Sequence, residues 1–167
     1  MPIAQSLLPE FDAEMATTRR LLDRVPEDRG GFRPHEKSTS LGTLAVHIAQ
    51  LPSFVVATMQ GPETDMSPPG KPAFRVPDFE GRERLLALFD QNVAAARAAL
   101  AAASDEEANA SWTLKAGGHT ILTLPRAVAW RTLAINHLIH HRGQLSVYLR
   151  LNDVPLPSIY GPTADER

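Results

Sequence analysis

The 167-residue sequence contains no cysteine. This absence excludes disulfide bonds, thiolate nucleophiles, iron–sulfur clusters and every zinc module that uses cysteine ligands. A bound metal ion would therefore have to be held by histidine, carboxylate or backbone groups. The sequence also lacks a strong charge of either sign, because its formal net charge is only −2. It offers no general attraction to nucleic acid or to an anionic membrane, so we expect neither as a partner.

Long hydrophobic runs and nucleotide-binding motifs are missing as well. No stretch of ~18 uncharged apolar residues occurs, since arginines interrupt the apolar segments at Arg97, Arg126, Arg131 and Arg142. The first ten residues lack a basic region followed by an apolar run, so we expect a cytoplasmic protein. No glycine-rich phosphate loop or G-x-S-x-G motif is present, which leaves nucleotide binding and α/β-hydrolase chemistry without a motif.

Proline, by contrast, is abundant, with 14 residues. Proline disrupts helix interiors, so the long proline-free windows are the predicted helices. Each contains apolar residues at helical spacing, and the windows are 10–25, 35–51, 78–124 and 126–154. Five prolines between Pro62 and Pro77 predict a long connection between the second and third helices. The predicted fold is all-α: one domain over residues 1–167, built as a four-helix bundle.

Two local features modify this prediction. Pro52 lies within the apolar pattern of the second helix and is expected to kink it and free the carbonyl of Ile48. The third window changes to alternating residues at 111–115 and 120–123, on either side of Gly117 and Gly118. This pattern predicts a short β-hairpin before the fourth helix.

The fourth helix carries the most informative pattern, a pair of histidines four residues apart. His137 and His141 are ~40° apart around a helix, with β-carbons ~6 Å apart, a spacing that suits two ligands of one ion. His140 points ~100° away from His141. A third inward-facing candidate is His47, which lies between Leu44 and Leu51 on the second helix.

Together, His47, His137 and His141 would supply three neutral nitrogen donors and leave a coordination position for water or substrate. Spacing alone leaves two other interpretations open: a packed histidine pair, or one side of an aromatic cluster. His35 and His119 are expected to be solvated, because one precedes a helix beside Pro34 and the other follows the Gly-Gly turn.

These residues resemble those of the DinB family, within the DinB/YfiT-like superfamily of small metal-binding four-helix proteins. The resemblance rests on the inward His47, on the run His137-x-x-x-His141-Arg142-Gly143-Gln144-Leu145, and on a C-terminal segment from Tyr148 to Pro162. It implies a divalent metal, zinc or nickel foremost, on His47, His137 and His141. It also implies a homodimer.

The resemblance and the residues favour a metal-dependent enzyme that acts on a small molecule. Expected reactions are transfer of a low-molecular-weight thiol, because coordination lowers the pKa of a thiol, or metal-activated hydrolysis. Gln144, Tyr148 and Arg142 are candidates for orienting the site or an anionic substrate, although structural roles are favoured for each. The alternative is a non-catalytic, stress-related metal- or ligand-binding bundle that forms a dimer. The sequence identifies no catalytic residue.

Overall fold

The computed structural model describes residues 2–166, and these residues form a mostly helical protein with a small three-stranded sheet. Seven α-helices are present: α1 Ile3–Leu22, α2 Leu41–Gln50, α3 Ser53–Met59, α4 Arg82–Ala102, α5 Asp105–Asn109, α6 Arg126–Ala129 and α7 His137–Arg150. A π-helical segment, Trp130–Asn136, joins α6 to α7, and a 3-10 turn, Glu27–Arg29, follows α1. The strands are β1 Glu63–Asp65, β2 Ser111–Ala116 and β3 His119–Pro125.

The first helix begins before Pro9, whereas the proline-free window predicted a start at residue 10. α1 starts at Ile3 and contains Pro9. Its buried face starts with Ala4 and Leu7 and continues to Phe11, so burial of apolar surface outweighs the local disruption. The backbone hydrogen bond that Pro9 cannot donate would end at Gln5, which is an exposed residue.

Pro52 divides the second predicted helix in two rather than only kinking it. The axes of α2 and α3 are bent by 41° at this break. The carbonyl of Ile48 is not left free, because the backbone N–H of Leu51 donates to it at 3.3 Å. The bend was predicted correctly, and the free carbonyl was not.

The core lies between four of the helices. α1 and α2 each pack against both α4 and α7. Large apolar side chains fill the space between them, among them Phe11, Leu44, Phe89, Leu100 and Leu149. These contacts show a mostly helical core, while the more specific description as a four-helix bundle stays a prediction.

Among the described residues, α4 is the one single helix that is long and apolar enough to span a membrane, judged by length and composition alone. The bent pair α2 and α3 meets the same criterion when the two helices are joined. In the structure, α4 packs against α1, α2 and α3, and it buries Leu85, Phe89 and Leu100 against them.

The predicted hairpin is confirmed. β2 and β3 are antiparallel, with Ser111 opposite Pro125 and Ala116 opposite His119. A strand that the sequence did not predict, β1, adds to β2 in parallel. It comes from the proline-rich connection, and the carboxylate of Asp65 fixes it by accepting the backbone N–H groups of Gly117 and Gly118 at 3.0 and 2.7 Å.

The fourth predicted helix is continuous in the chain but not regular. Hydrogen bonding changes to the wider π pattern over Trp130–Asn136, and the backbone N–H of His137 reaches back five residues to Thr132. The start of this segment is tied to the end of α3, because Trp130 Nε1 donates to Thr58 Oγ1 at 2.6 Å. Arg126 Nε donates to the carbonyl of Thr58 at 2.7 Å.

The C-terminal segment folds back over α1 and α7 and covers a buried ion pair. Arg142 contacts Glu14 at 2.7 Å, with side chains only 2% and 12% exposed. Arg142 also donates to Tyr160 Oη at 2.6 Å and to Thr18 Oγ1 at 3.2 Å. This arginine, a sequence candidate for substrate binding, therefore joins α1, α7 and the C-terminal segment.

This geometry predicts a large loss of stability when the charge of Glu14 is removed. Glu14→Gln leaves the buried Arg142 guanidinium without its counter-ion, so we expect the free energy of unfolding in urea to fall by about 3 kcal/mol. Glu10→Gln is the matched control on the same helix, because it removes an exposed pair with Arg131 whose side chains are 52% and 42% exposed. That change is expected to cost less than about 1 kcal/mol. Equal losses in the two variants would contradict the assignment.

Candidate metal centre

Three imidazole rings meet where α2 packs against α7. His47 comes from α2, and His137 and His141 come from the first two turns of α7. The ring centroid of His47 lies 5.2 Å from that of His137 and 4.7 Å from that of His141. The centroids of His137 and His141 are 4.6 Å apart. One nitrogen from each ring lies within 4.8 Å of the other two. The structure thus brings together the three histidines that the sequence analysis selected.

The two histidines on α7 face each other through their Nε2 atoms, which are 2.8 Å apart. On the other side of His141, Nδ1 lies 2.6 Å from Gln144 Oε1. A carbonyl oxygen only accepts hydrogen bonds, so Nδ1 carries the proton and Nε2 of neutral His141 carries a lone pair. The backbone of Leu133 lies near His137 and raises the pKa of its ring.

With its outer nitrogen donating to Gln144, neutral His141 directs the lone pair of Nε2 toward Nε2 of His137, 2.8 Å away. Without a metal ion, a proton on Nε2 of His137 would fill this contact as a hydrogen bond, whereas a metal cation would take a lone pair from each ring. Three imidazole nitrogens close together match the donor set of open zinc sites, and the hydrogen bond from His141 to Gln144 is typical of histidines that ligate metals. The residues therefore fit a divalent metal ion.

The π-helical segment changes the backbone bonding at His137. In a regular α-helix the carbonyl of Leu133 would accept the backbone N–H of His137. Here that N–H bonds instead to Thr132 and Ala134. The local change of helix type thus ends directly at the first histidine of α7. π-helical turns of this kind occur frequently at functional sites.

The partly buried position keeps the three rings neutral. Burial lowers the pKa of His47 to about 4, with further lowering from the neighbouring His141 and His137. Burial also lowers the pKa of His137, although its backbone hydrogen bond opposes the shift. The pKa of His141 is lowered mainly by burial and is raised in part by Gln144. Neutral imidazole is the form that binds metals, so the site is prepared for ligation near neutral pH.

The remaining histidines lie outside this cluster. His140 is exposed, and its ring contacts only the outer side of the cluster, 5.0 Å from the His141 ring centroid. His35 and His119 are exposed, as expected. Gln144 orients His141, whereas Tyr148 Oη donates to the carbonyl of Thr39 at 3.2 Å and so ties α7 to the segment before α2.

Sequence reasoning missed two groups near the cluster. The backbone of Leu133, which raises the pKa of His137, could not have been found, because no sequence pattern signals the π-helical segment in which it lies. Gln50 could have been found, since it lies three residues after His47 and shares its face of α2. Its Oε1 atom is buried and has no hydrogen-bond partner among residues 2–166.

The fold and the cluster define a small, mostly helical protein with a candidate three-histidine metal site. The model of the DinB superfamily matches residues 10–145, and the chain belongs to this superfamily.

Two solved structures share the fold. A DinB-like protein from Bacillus cereus is 21% identical, with a TM-score of 0.70 over 93% of this chain and 97% of that chain. The DinB-like protein YjoA from Bacillus subtilis is also 21% identical, with a TM-score of 0.67 over 95% of this chain and 99% of that chain. At this identity the likeness concerns the fold alone. No curated protein matches the sequence.

The lowered pKa of His47 predicts how the metal-free protein responds to acid. In the unfolded chain this histidine gains its proton near its ordinary value of about 6.5, but in the folded protein only near pH 4. Between these two values the unfolded chain binds a proton that the folded protein does not. The free energy of unfolding therefore has its full value above pH 6.5 and decreases as the pH falls toward 4. We expect imidazole resonances in NMR spectra to show this titration. We also expect His47→Gln to make urea stability fall less steeply over this interval, and an ordinary pKa for His47 would contradict the prediction.

Proposed function

We propose that the protein binds one divalent metal ion through His47, His137 and His141 and acts on a small molecule at that site. Zinc and nickel are the favoured ions, because neutral imidazole ligands suit both. We propose a four-helix arrangement of α1, α2, α4 and α7 as the scaffold and the cytoplasm as the location. The observation that carries the proposal is the meeting of three imidazole rings, with one nitrogen from each within 4.8 Å of the other two and the Nε2 atoms of His137 and His141 2.8 Å apart.

A divalent ion in this site would lower the pKa of a bound thiol or water and so supply a nucleophile near neutral pH. The reaction classes that follow are transfer of a low-molecular-weight thiol and hydrolysis. The thiol must come from a substrate, because the chain has no cysteine. The three histidines are only partly buried, which suits the approach of such a molecule.

The surrounding residues hold the rings in place. Gln144 keeps the His141 proton on Nδ1, and the backbone of Leu133 raises the pKa of the neighbouring His137. Tyr148 ties α7 to the segment that precedes α2, and α2 is the helix that carries His47. None of these residues is proposed to exchange a proton with substrate.

A specific observation favours a second proposal, a non-catalytic metal- or ligand-binding dimer. The outer face of α7 exposes Val147 and Leu151, one turn apart, at 56% and 57%. Apolar residues at this spacing on one helix suit a contact with a second copy of the chain. The homodimer is compatible with the enzyme proposal as well, so turnover is what separates the two.

Metal content tests the first proposal. Protein prepared without a histidine tag and loaded with zinc is expected to retain about one ion per chain after dialysis, because the three ligands form a single cluster. His47→Ala, His137→Ala and His141→Ala should each lower the affinity by about 100-fold or more, and Gln144→Leu by about 10- to 100-fold. His140→Ala is the matched control and should retain zinc like the wild type. Undiminished zinc in His137→Ala would contradict the site.

Turnover and assembly together test the second proposal. Zinc-loaded protein is offered a panel of small thiols with electrophiles and a panel of esters and amides. The enzyme proposal predicts turnover that disappears in His141→Ala and persists in His140→Ala. A dimer that Val147→Asp dissociates, with no turnover on any pair, would favour the binding module instead. Sedimentation of wild type and variant measures the assembly.

A further inference from the structure

A groove separate from the histidine cluster lies between the start of α1 and the stretch that runs from α6 into the π-helical segment. Its volume is about 260 Å³, and its lining, within residues 2–166, includes none of the three clustered histidines. The apolar part of the lining comes from Ile3, Leu7, Ala127 and Val128. For comparison, an apolar cavity of ~150 Å³ holds benzene, so this groove has room for about ten non-hydrogen atoms.

The same groove is lined by four hydrogen-bonding side chains: Ser6, Arg131, Thr132 and Asn136. All four residues are exposed. Ser6 Oγ donates its proton to the carbonyl of Ile3 at 2.7 Å, so it has lone pairs to offer a ligand, whereas Arg131 offers only donors. An apolar surface with a few polar groups at its edge is the usual composition of a small-molecule site.

An ion pair borders the groove and brings one charge of each sign to it. Arg131 Nη2 donates to Glu10 Oε2 at 2.9 Å, and both side chains are largely exposed. A guanidinium group has five N–H donors, so Arg131 can hold a second carboxylate while it holds Glu10. The Glu10 carboxylate can likewise accept from a second cation, because each of its oxygens has two lone pairs.

The charges around the groove disfavour a ligand that carries only a negative charge. Asp105 Oδ1 accepts the backbone N–H of Ile3 at 2.6 Å, so Arg131 is accompanied by two carboxylates, those of Glu10 and Asp105. A simple anion would add a third negative charge. A ligand with an ammonium group beside its carboxylate avoids this, because its two charges and those of the ion pair then alternate in sign.

We propose that this groove is a second small-molecule site, which binds a free α-amino acid with a branched apolar side chain. The carboxylate of the ligand lies on Arg131, and its ammonium group lies on Glu10. Both groups are attached to one carbon atom, so they are close enough together to match the two members of the ion pair. The apolar side chain covers the part of the lining formed by Leu7 and Val128, and leucine is about the size that the volume allows.

Three probes test the proposal: L-leucine, 3-methylbutylamine, which lacks the carboxylate, and 4-methylpentanoate, which lacks the ammonium group. The protein is kept free of metal, because amino acids also chelate zinc. Valine methyl groups labelled with ¹³C report binding by NMR: Val128 lines the groove, whereas Val147, exposed on α7, is the internal control. We expect leucine to shift the Val128 signal saturably, to leave Val147 unchanged, and to bind about five- to tenfold more tightly than either analogue.

Variants separate the charged part of the site from its apolar part. Arg131→Gln is expected to weaken leucine binding to the level of 3-methylbutylamine and to leave the amine itself unaffected. Arg97→Gln is the matched control, because Arg97 forms an ion pair with α1 that has the same exposed fractions, 52% and 42%, and it should bind leucine as the wild type does. Ala127→Leu fills the groove and should abolish the Val128 response. Ser6→Leu narrows the groove from an exposed position and should weaken binding several-fold, even if Ala127→Leu fails to fold.

The histidine cluster supplies the last control. His141→Ala should bind leucine as the wild type does, because the groove is independent of the metal centre. Leucine binding that disappears in this variant would overturn the proposal. A Val128 signal that leucine does not shift, equal affinities for leucine and its two analogues, or wild-type leucine binding by Arg131→Gln would overturn it as well.

Discussion

The close approach of three neutral imidazoles at the edge of the core sets requirements that the surrounding elements meet. Nε2 of His137 and Nε2 of His141 lie 2.8 Å apart, and the ring of His47 closes the third side. Burial disfavours protonation of these rings, so they keep lone pairs for a ligand. A divalent cation would use one lone pair from each ring, which is how the packing supports the metal proposal.

The fold fixes the rings through irregular elements. The break at Pro52 lets α2 follow α7 while α3 turns by 41° toward the π-helical segment. That segment changes the backbone bonding at His137, whose N–H donates to Thr132 and Ala134. Behind the cluster, the buried pair of Arg142 and Glu14 fixes α7 against α1. Each of these three features sets the rotation or the direction of a helix that carries a histidine.

Local periodicity was enough to predict much of this arrangement. The spacing of His137 and His141, the inward position of His47 and the hairpin at 111–123 follow from patterns of 3.6 and 2 residues. The start of α1, the strand β1 and the π-helical segment did not follow. α1 continues through Pro9 because its buried face stabilises it, and β1 pairs with a strand about fifty residues away.

X-ray absorption at the zinc edge is the most direct measurement of the central claim. The account predicts three imidazole nitrogens at about 2.0–2.1 Å from the ion, with lighter scattering from water or substrate completing the shell. It also predicts that His140→Ala leaves the spectrum unchanged and that the imidazole signal falls in His47→Ala. A spectrum dominated by carboxylate or water oxygen, or one that His47→Ala does not alter, would contradict the account.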